Sequence, residues 1–339
     1  MTEPERARLG AWLAGRFGAG VRMAALVPLG GGAIQENWGL DLELPDGALL
    51  ALVLRRDAAA RLPASLDRAA EYRVIETAFA AGVKVAEPLG LCTDPTVLGG
   101  PFSLARRVQG ITNPRRLTGR DAPIADGDAL ARDLGRELAR IHSLRPAGAA
   151  LGFPPPPGEP PVVARLAHLA TMLDALSAPQ PVLEWMLIRL AALAPPPLPA
   201  VLLHGDYRTG NLMIEHGGRI AAVLDWEFAA WGDPLEDIGW FCAPCWRFLA
   251  PEREAGGIGA RAAFYAGYAE VAGAPVPAER IGFWEAFATV RWAIIAVLQG
   301  ERHRSEEAPV LEAALTGRMA PQIAHQALTL VRALEAAVA

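Results

Sequence analysis

The stretch Val201-Leu-Leu-His204-Gly-Asp206-Tyr-Arg-Thr-Gly-Asn211-Leu-Met-Ile214, followed by Ala222-Val-Leu-Asp225-Trp-Glu227, decides the reading of this chain. An apolar run, Val201 to Leu203, enters a polar loop that carries His204, Asp206 and Asn211. A second run, Leu212 to Ile214, turns at His216-Gly217-Gly218, and a third, Ile220 to Leu224, ends on Asp225. Short apolar runs bounded by glycine and polar residues read as strands. One carboxylate, one amide and a second carboxylate therefore leave the ends of adjacent short strands. Such a set can orient a hydroxyl and hold magnesium, which is what phosphoryl transfer asks of a protein.

Upstream the pattern changes. Thr2 and Glu5 have capping-box spacing, and Leu9, Trp12, Leu13 and Phe17 give residues 3–18 a helical stripe. Met23 to Leu29 reads as a strand that runs into Gly30-Gly31-Gly32, whose backbone amides could lie over phosphates. Trp38, Leu40, Leu42 and Leu44 alternate with polar residues, Pro45-Asp46-Gly47 turns, and Leu49 to Leu54 returns, ending on Arg55 and Arg56. Ala51, Val53 and Arg55 share one side of that strand, which favours Arg55 over Arg56 as the cation facing a cleft and leaves open which of the two meets phosphates. The helix starting near Ser65 has Ala69, Tyr72, Ile75 and Phe79 as its apolar stripe, with Glu71 within the stripe. Strands follow at Pro88 to Cys92 and Phe102 to Arg107. Beyond Gly110 helices dominate: 126–143, 162–177, 181–194, Leu235 to Cys242, 258–272, 277–300 and 319–338. The proline-rich stretch 152–161 reads as a stiff spacer.

With 339 residues, 52% of them hydrophobic, the chain can form two lobes around a sizeable core. The net charge of −5 is dispersed, and no basic stripe calls for nucleic acid. No apolar run of membrane-spanning length stands out, and the acidic opening Thr2-Glu-Pro-Glu5 is unlike a signal peptide, so a cytoplasmic protein without a membrane partner is expected. Three cysteines make no disulfide framework; Cys242 and Cys245 read as a buried or half-buried pair behind the polar loop. Lys84 is the only lysine, so any cationic role falls to it or to arginine.

A β-rich first part, a hinge, and a helical part bearing His204-x-Asp206-x4-Asn211 and Asp225 resembles the aminoglycoside phosphotransferase family, relatives of the protein kinases. Gly232-Asp-Pro-Leu-Glu-Asp237 adds to the match, which covers essentially the whole chain. Val53-Leu-Arg-Arg56, Glu71-Tyr-Arg-Val74, Val290-Arg-Trp-Ala-Ile294 and Gln299-Gly-Glu-Arg-His303 look most like bacterial kinases similar to the kinase domain fused to certain acyl-CoA dehydrogenases.

The resemblance implies an α+β, bilobal kinase-like fold: a small antiparallel N-lobe over 1–109, a hinge near 104–110, and a larger helical C-lobe over 110–339. It implies a kinase that uses ATP and magnesium and phosphorylates a small-molecule hydroxyl, as a monomer or homodimer. Asp206 would be the catalytic base, His204 a brace of its loop, and Asn211 and Asp225 the magnesium ligands. Glu71 would pair with Arg55, which stands where kinases commonly have lysine. Gly30, Gly31, Gly32, Arg55, Arg106 and Val108 would meet the nucleotide. The acceptor wall would include Trp226, Glu227, Asp237, Arg291 and His303, with Trp231, Trp240, Trp246, Trp284 and Arg302. These aromatic and cationic residues suit an apolar acceptor bearing a carboxylate or thioester better than an aminoglycoside, and the resemblance to the acyl-CoA dehydrogenase-fused kinases implies a hydroxy acid or hydroxyacyl-CoA. Other readings are an aminoglycoside kinase, a nucleotide-binding pseudokinase, motivated by Arg55, and a metal hydrolase built on His204, Asp206 and Asp225.

Overall fold

The structure, a computed structural model, describes the chain apart from residues 31–34, 58–64, 147–150, 152–159, 306–310 and 339. Gly31, Gly32 and most of the proline-rich spacer lie outside the described residues. Helix α1 (Glu3–Phe17) begins at the expected capping box, with the Glu5 amide donating to Thr2 Oγ1 and the Thr2 amide to Glu5 Oε2. Strands β1 (Arg22–Pro28), β2 (Gln35–Glu43) and β3 (Leu49–Asp57) form a meander. After α2 (Arg68–Ala80) come β4 (Pro88–Cys92), the short α3 (Pro95–Leu98) and β5 (Phe102–Arg106). The five strands make one antiparallel sheet in the order β1-β2-β3-β5-β4.

The strand period of two sorts β3 into two faces. Leu50, Leu52 and Leu54 bury with Leu40, Leu42, Phe102 and Leu104 against Leu9 and Leu13 of α1. Each fully buried leucine contributes ~1.5–3 kcal/mol. Val53 and Arg55 face the other way, into a cleft, while Arg56 reaches Glu5 and Glu36 on the α1 side. The expected stripe of α2 holds in part: Tyr72 is buried and Ala69 and Ile75 are half-buried, but Phe79 is exposed, and Val74 and Ala78 are buried in its stead. Glu71 faces inward, where it meets cations.

The larger lobe is mainly helical. It holds α4 (Pro114–Thr118), α5 (Gly127–Ile141), α6 (Pro161–Asp174) and α7 (Pro181–Ala192), then the short strands β6 (Val201–Leu203), β7 (Leu212–Ile214), β8 (Ile220–Val223) and β9 (Ala230–Gly232). Strand β6 pairs with β9 and β7 with β8, both antiparallel. Helices α8 (Pro234–Cys242), α9 (Arg261–Ala272), α10 (Ala278–Arg304) and α11 (Leu311–Val338) complete the lobe.

Two differences from the sequence reading have physical causes. Helix α11 starts eight residues before the expected 319, through Gly317 and with Pro321 inside it. The backbones of Gly317 and Gly300 touch where α11 crosses α10, leaving no room for a Cβ at Gly317 and little at Gly300, so packing overrides two poor helix formers. Second, α10 is by length and composition apolar enough to cross a membrane, contrary to the expectation that no such run exists. Of its most apolar window 67% is buried, and it packs against α7, α8 and α11, which accounts for its composition as the central helix of a core.

Candidate active site

The cleft between sheet and helices has a volume of about 1670 Å³ and is lined from both lobes. Its floor is the loop after β6. The chain turns there through Gly205, whose φ of 79° lies in the left-handed region and whose missing Cβ would run into the Phe228 carbonyl. This turn sets Asp206 at the cleft. Trp240 Nε1 donates to Asp206 Oδ1 (2.9 Å), and Asn211 Nδ2 donates to Oδ2 (2.7 Å) and to the Asp206 carbonyl (3.0 Å).

His204 is fully buried and does not reach the cleft. Its Nδ1 accepts the Asp206 amide (3.2 Å), so Nε2 bears the proton and donates to the Leu224 carbonyl (2.9 Å). Burial pulls its pKa down against the raising influence of Asp237 and Asp206, consistent with a neutral ring. The imidazole thus ties the Asp206 loop to the residue preceding Asp225. The Leu224 amide donates back to the Asn211 carbonyl (2.8 Å).

Asp237 is a correction to the expected acceptor wall. It lies 1% exposed in the first turn of α8, accepting the amides of His204 (2.7 Å) and Gly205 (3.0 Å). His142 Nε2 lies 3.2 Å away and holds Tyr268 through Nδ1. Burial pushes the Asp237 carboxyl up, but His142, His204 and the amides outweigh it and leave it below its ordinary value. Its place is under the loop, not in the cleft.

From the sheet side, Arg55 Nη1 meets Glu71 Oε1 (3.2 Å) and Nη2 meets Asp225 Oδ1 (3.1 Å). Burial works against the Arg55 charge, and Glu71 and Asp225 more than offset it. Glu71 is 1% exposed and holds a second cation, Arg68, which also grips Asp57 (2.6 Å). Asp225 has the left-handed φ of 66°, which short polar side chains tolerate best. Gly30, Arg106 and Val108 line the sheet side of the cleft.

The donor set suits magnesium. Among the described residues no three His, Cys, Asp or Glu side chains converge as a metal cage. Asn211 and Asp225 instead offer one amide oxygen and one carboxylate at the cleft, hard ligands of the sparse kind that magnesium takes when phosphates and waters complete its shell. The Asn211 amide nitrogen is spent on Asp206, which leaves its Oδ1 as the acceptor.

The helical side of the cleft mixes aromatic faces with cations. Arg291 lies over the Trp240 ring (4.5 Å), donates to the Gly205 carbonyl (3.1 Å), and has Glu236 3.8 Å away. Burial, with Arg165 close by, pulls this guanidinium below its ordinary value despite Glu236. Arg165 takes the nearer contact to Glu236 (2.8 Å). Burial, then Arg165 and Arg291, pull His168 down as well.

Trp226, Glu227, Trp240, Trp246 and Arg302 line the cleft. Trp231, Trp284 and His303 do not, and Trp292 and Phe287 take their place. On α10 the residues Arg291, Ile295, Leu298 and Arg302 share one helical face, and His303 stands a residue off it. The pair Cys242 and Cys245 is buried and half-buried, with free thiols that burial pushes up, to about 12 for Cys242.

The sequence model of the phosphotransferase enzyme family matches residues 25–274. The chain belongs to this family. Acyl-CoA dehydrogenase family member 10 of Mus musculus is 28% identical over 291 residues, which is 81% of this chain and 26% of the relative. The chain therefore spans about a quarter of that relative's length. The fold agrees with the family's solved structures. A candidate aminoglycoside phosphotransferase from Ralstonia eutropha aligns with a TM-score of 0.75 and 22% identity, over 96% of this chain and 98% of that one. An aminoglycoside phosphotransferase crystallised as a thermostable mutant with AMP-PNP and hygromycin B aligns at 0.58 and 19%, over 96% and 98%. The bilobal α+β architecture and the phosphotransferase class expected from sequence are those of the family.

Sequence reasoning missed several groups that this phosphotransferase site uses. Arg208 sits inside the motif, two residues after Asp206, and contacts its carboxylate. Arg68 is three residues before Glu71, a spacing that signals a pair along one helix. Glu236 sits within the Gly232–Asp237 motif, beside Asp237, whereas His142, Arg165 and His168 carry no local signal, since they meet the site only through the packing of helices far apart in the chain.

Proposed function

We propose that this phosphotransferase moves the γ-phosphoryl group of ATP, with magnesium, to the hydroxyl of an anionic, partly apolar small molecule such as a hydroxy acid or hydroxyacyl-CoA. Asp206 accepts the acceptor proton as the hydroxyl oxygen attacks. Trp240 and Asn211 hold the two oxygens of that carboxylate in place. Arg55, aligned by Glu71, takes the nucleotide phosphates; its fork grips oxygens in a plane where lysine would offer a point charge. Magnesium held by Asn211 and Asp225 would neutralise charge developing on the phosphates. Residues 104–110 form the proposed hinge between lobes 1–109 and 110–339, with Arg106, Val108 and the loop from Gly30 beside the nucleotide.

One observation carries the choice of acceptor: Arg165, Arg208, Arg291 and Arg302 line the helical side of the cleft beside Trp240, Trp246 and Trp292, and the first three outnumber the carboxylates they meet there, Glu236 and Asp206. Like charges brought together cost several kcal/mol, so a polycationic aminoglycoside is disfavoured and an anion favoured. The ternary complex with AMP-PNP and hygromycin B belongs to a relative of low identity; it supports the reading that this fold binds a nucleotide together with a second small molecule. An ATP-using role in the cytoplasm, as a monomer or homodimer, is part of the same reading.

The test is magnesium-dependent ADP formation across hydroxy acids, hydroxyacyl-CoAs and aminoglycosides, with wild type and Asp206→Asn. Turnover with an anionic acceptor, reduced ~100-fold or more in Asp206→Asn while ATP still binds, is the expected result. Turnover only with aminoglycosides would refute the acceptor class. ATP binding without turnover on any acceptor would favour the pseudokinase reading, which Arg55 in place of the usual lysine motivates.

A further inference from the structure

The carboxylate of Asp206 is already crowded. Arg208 Nε lies 3.1 Å from Oδ1 and 3.1 Å from Oδ2, a shared donor across both oxygens. Trp240 holds Oδ1 and Asn211 holds Oδ2, so each oxygen accepts two contacts. A carboxylate has about four lone-pair sites, and three donors spread over both oxygens leave an incoming hydroxyl no clear position. One donor must leave before the base can accept a proton.

The three donors are not equally free. Trp240 and Asn211 are 3% and 5% exposed and locked by packing. The Arg208 side chain is 27% exposed, faces the cleft, and lies over the Trp246 ring at 5.1 Å. Its guanidinium folds back over Gly210, where any Cβ would run into Nη1. Glycine at that position thus leaves room for the folded-back arginine, and the flat face of Trp246 gives it a surface to slide along.

We propose that Arg208 is a gate on the base: it caps Asp206 until the acceptor displaces it, and so suppresses transfer of the phosphoryl group to water. The inference rests on the phosphotransferase reading given above. In the suppressed reaction a water oxygen would bond to the γ-phosphorus. The bond from that phosphorus to the β–γ bridging oxygen would break, ADP would leave, and the water proton would pass to Asp206. With Arg208 in place Asp206 offers that proton no free lone pair. Beyond the nucleotide phosphates, whose charge magnesium and Arg55 would already meet, water brings no charge to hold a displaced guanidinium. An anionic acceptor can, so the occupant that frees the base also supplies a new partner for Arg208. Arg208 is a positioning residue in this account, since it acts through Asp206.

The experiment measures phosphate release from magnesium–ATP with no acceptor present, using the whole chain as wild type, Arg208→Gln, Arg208→Lys and Arg208→Gln/Asp206→Asn. Thermal shift with magnesium–ATP reports nucleotide binding in each. Losing one charged hydrogen bond corresponds to ~10-fold or more, so Arg208→Gln should hydrolyse ATP at least that much faster than wild type. Arg208→Lys should keep most of the suppression, and the double variant should fall to the wild-type rate or below. A purely structural role for Arg208 would not raise a rate, and still less produce a rise that depends on Asp206. Binding of magnesium–ATP with no gain in Arg208→Gln overturns the gate and leaves the phosphotransferase reading standing, as does a gain that survives in the double variant. Failure of wild type itself to bind magnesium–ATP overturns the reading beneath it, and the gate with it.

Discussion

Replacing Trp240 by phenylalanine keeps an aromatic ring under Arg291 and deletes the Nε1 donor to Asp206 Oδ1. A hydrogen bond to a charged group contributes about 1.5–3 kcal/mol, so kcat for an active acceptor should fall ~10-fold or more, with a smaller change in melting temperature. Steady-state rates beside a thermal melt check this, and an unchanged kcat would show that the indole does not orient the base. At this scale the convergence of Asp206, Asn211 and Asp225 is legible in the sequence, because five residues of loop and one short hairpin restrict where their side chains can go. The partners of those groups are not. A side chain two residues from Asp206 can point either way, and only the placement of Trp246 and Gly210 turns Arg208 back onto the carboxylate. Asp237 reads as a wall residue from its place in the motif, yet it lies beneath the loop, accepting two amides.

Helix α11 shows where local propensity loses to packing. Gly317 and Pro321 argue against a helix there, yet it runs from Leu311 to Val338 because the Gly317 and Gly300 backbones meet at the crossing with α10. Gly317→Ala raises intrinsic helix propensity but forces the two helices apart. Overpacking of this kind costs about 1–3 kcal/mol, so the variant should be less stable in denaturant unfolding. A stabilised variant would mean that the close approach does not govern the pair. The elements of the small lobe are legible in sequence because strand alternation and turn signals are local; β3 keeps its expected faces, with Arg55 and Arg56 on opposite sides. The frame of α2 is legible in part: Tyr72 and Glu71 turn inward as read, while Phe79 is exposed and Val74 and Ala78 are buried.

Stability against pH is a property of the whole molecule, and its sign follows from the junction beneath the cleft. His204 titrates below its ordinary value when folded, so the unfolded chain takes up the proton first, near pH ~6.5. The stability contributed by neutral His204 is complete above that pH and declines as pH falls toward the folded value. Asp237, lowered in the fold, adds a further loss as pH falls below the ~3.9 of a free aspartate. Melting temperature should therefore drop between pH ~7.5 and ~5.5, which bracket the free-histidine value, and His204→Asn should flatten that slope. A rise on acidification would contradict the assignment of a neutral ring. The sequence alone determined the order of the longer elements and the three polar groups at strand ends, because short covalent spacings and local periodicity carry that information; the short α3, α4 and β9 were not legible in it. The tertiary structure alone decided which cation meets which carboxylate, that four arginines and a histidine share one wall with tryptophans, and that Arg208 caps the base. Those outcomes depend on distance and burial between residues far apart in the chain, and the strength of a charge pair is set by both.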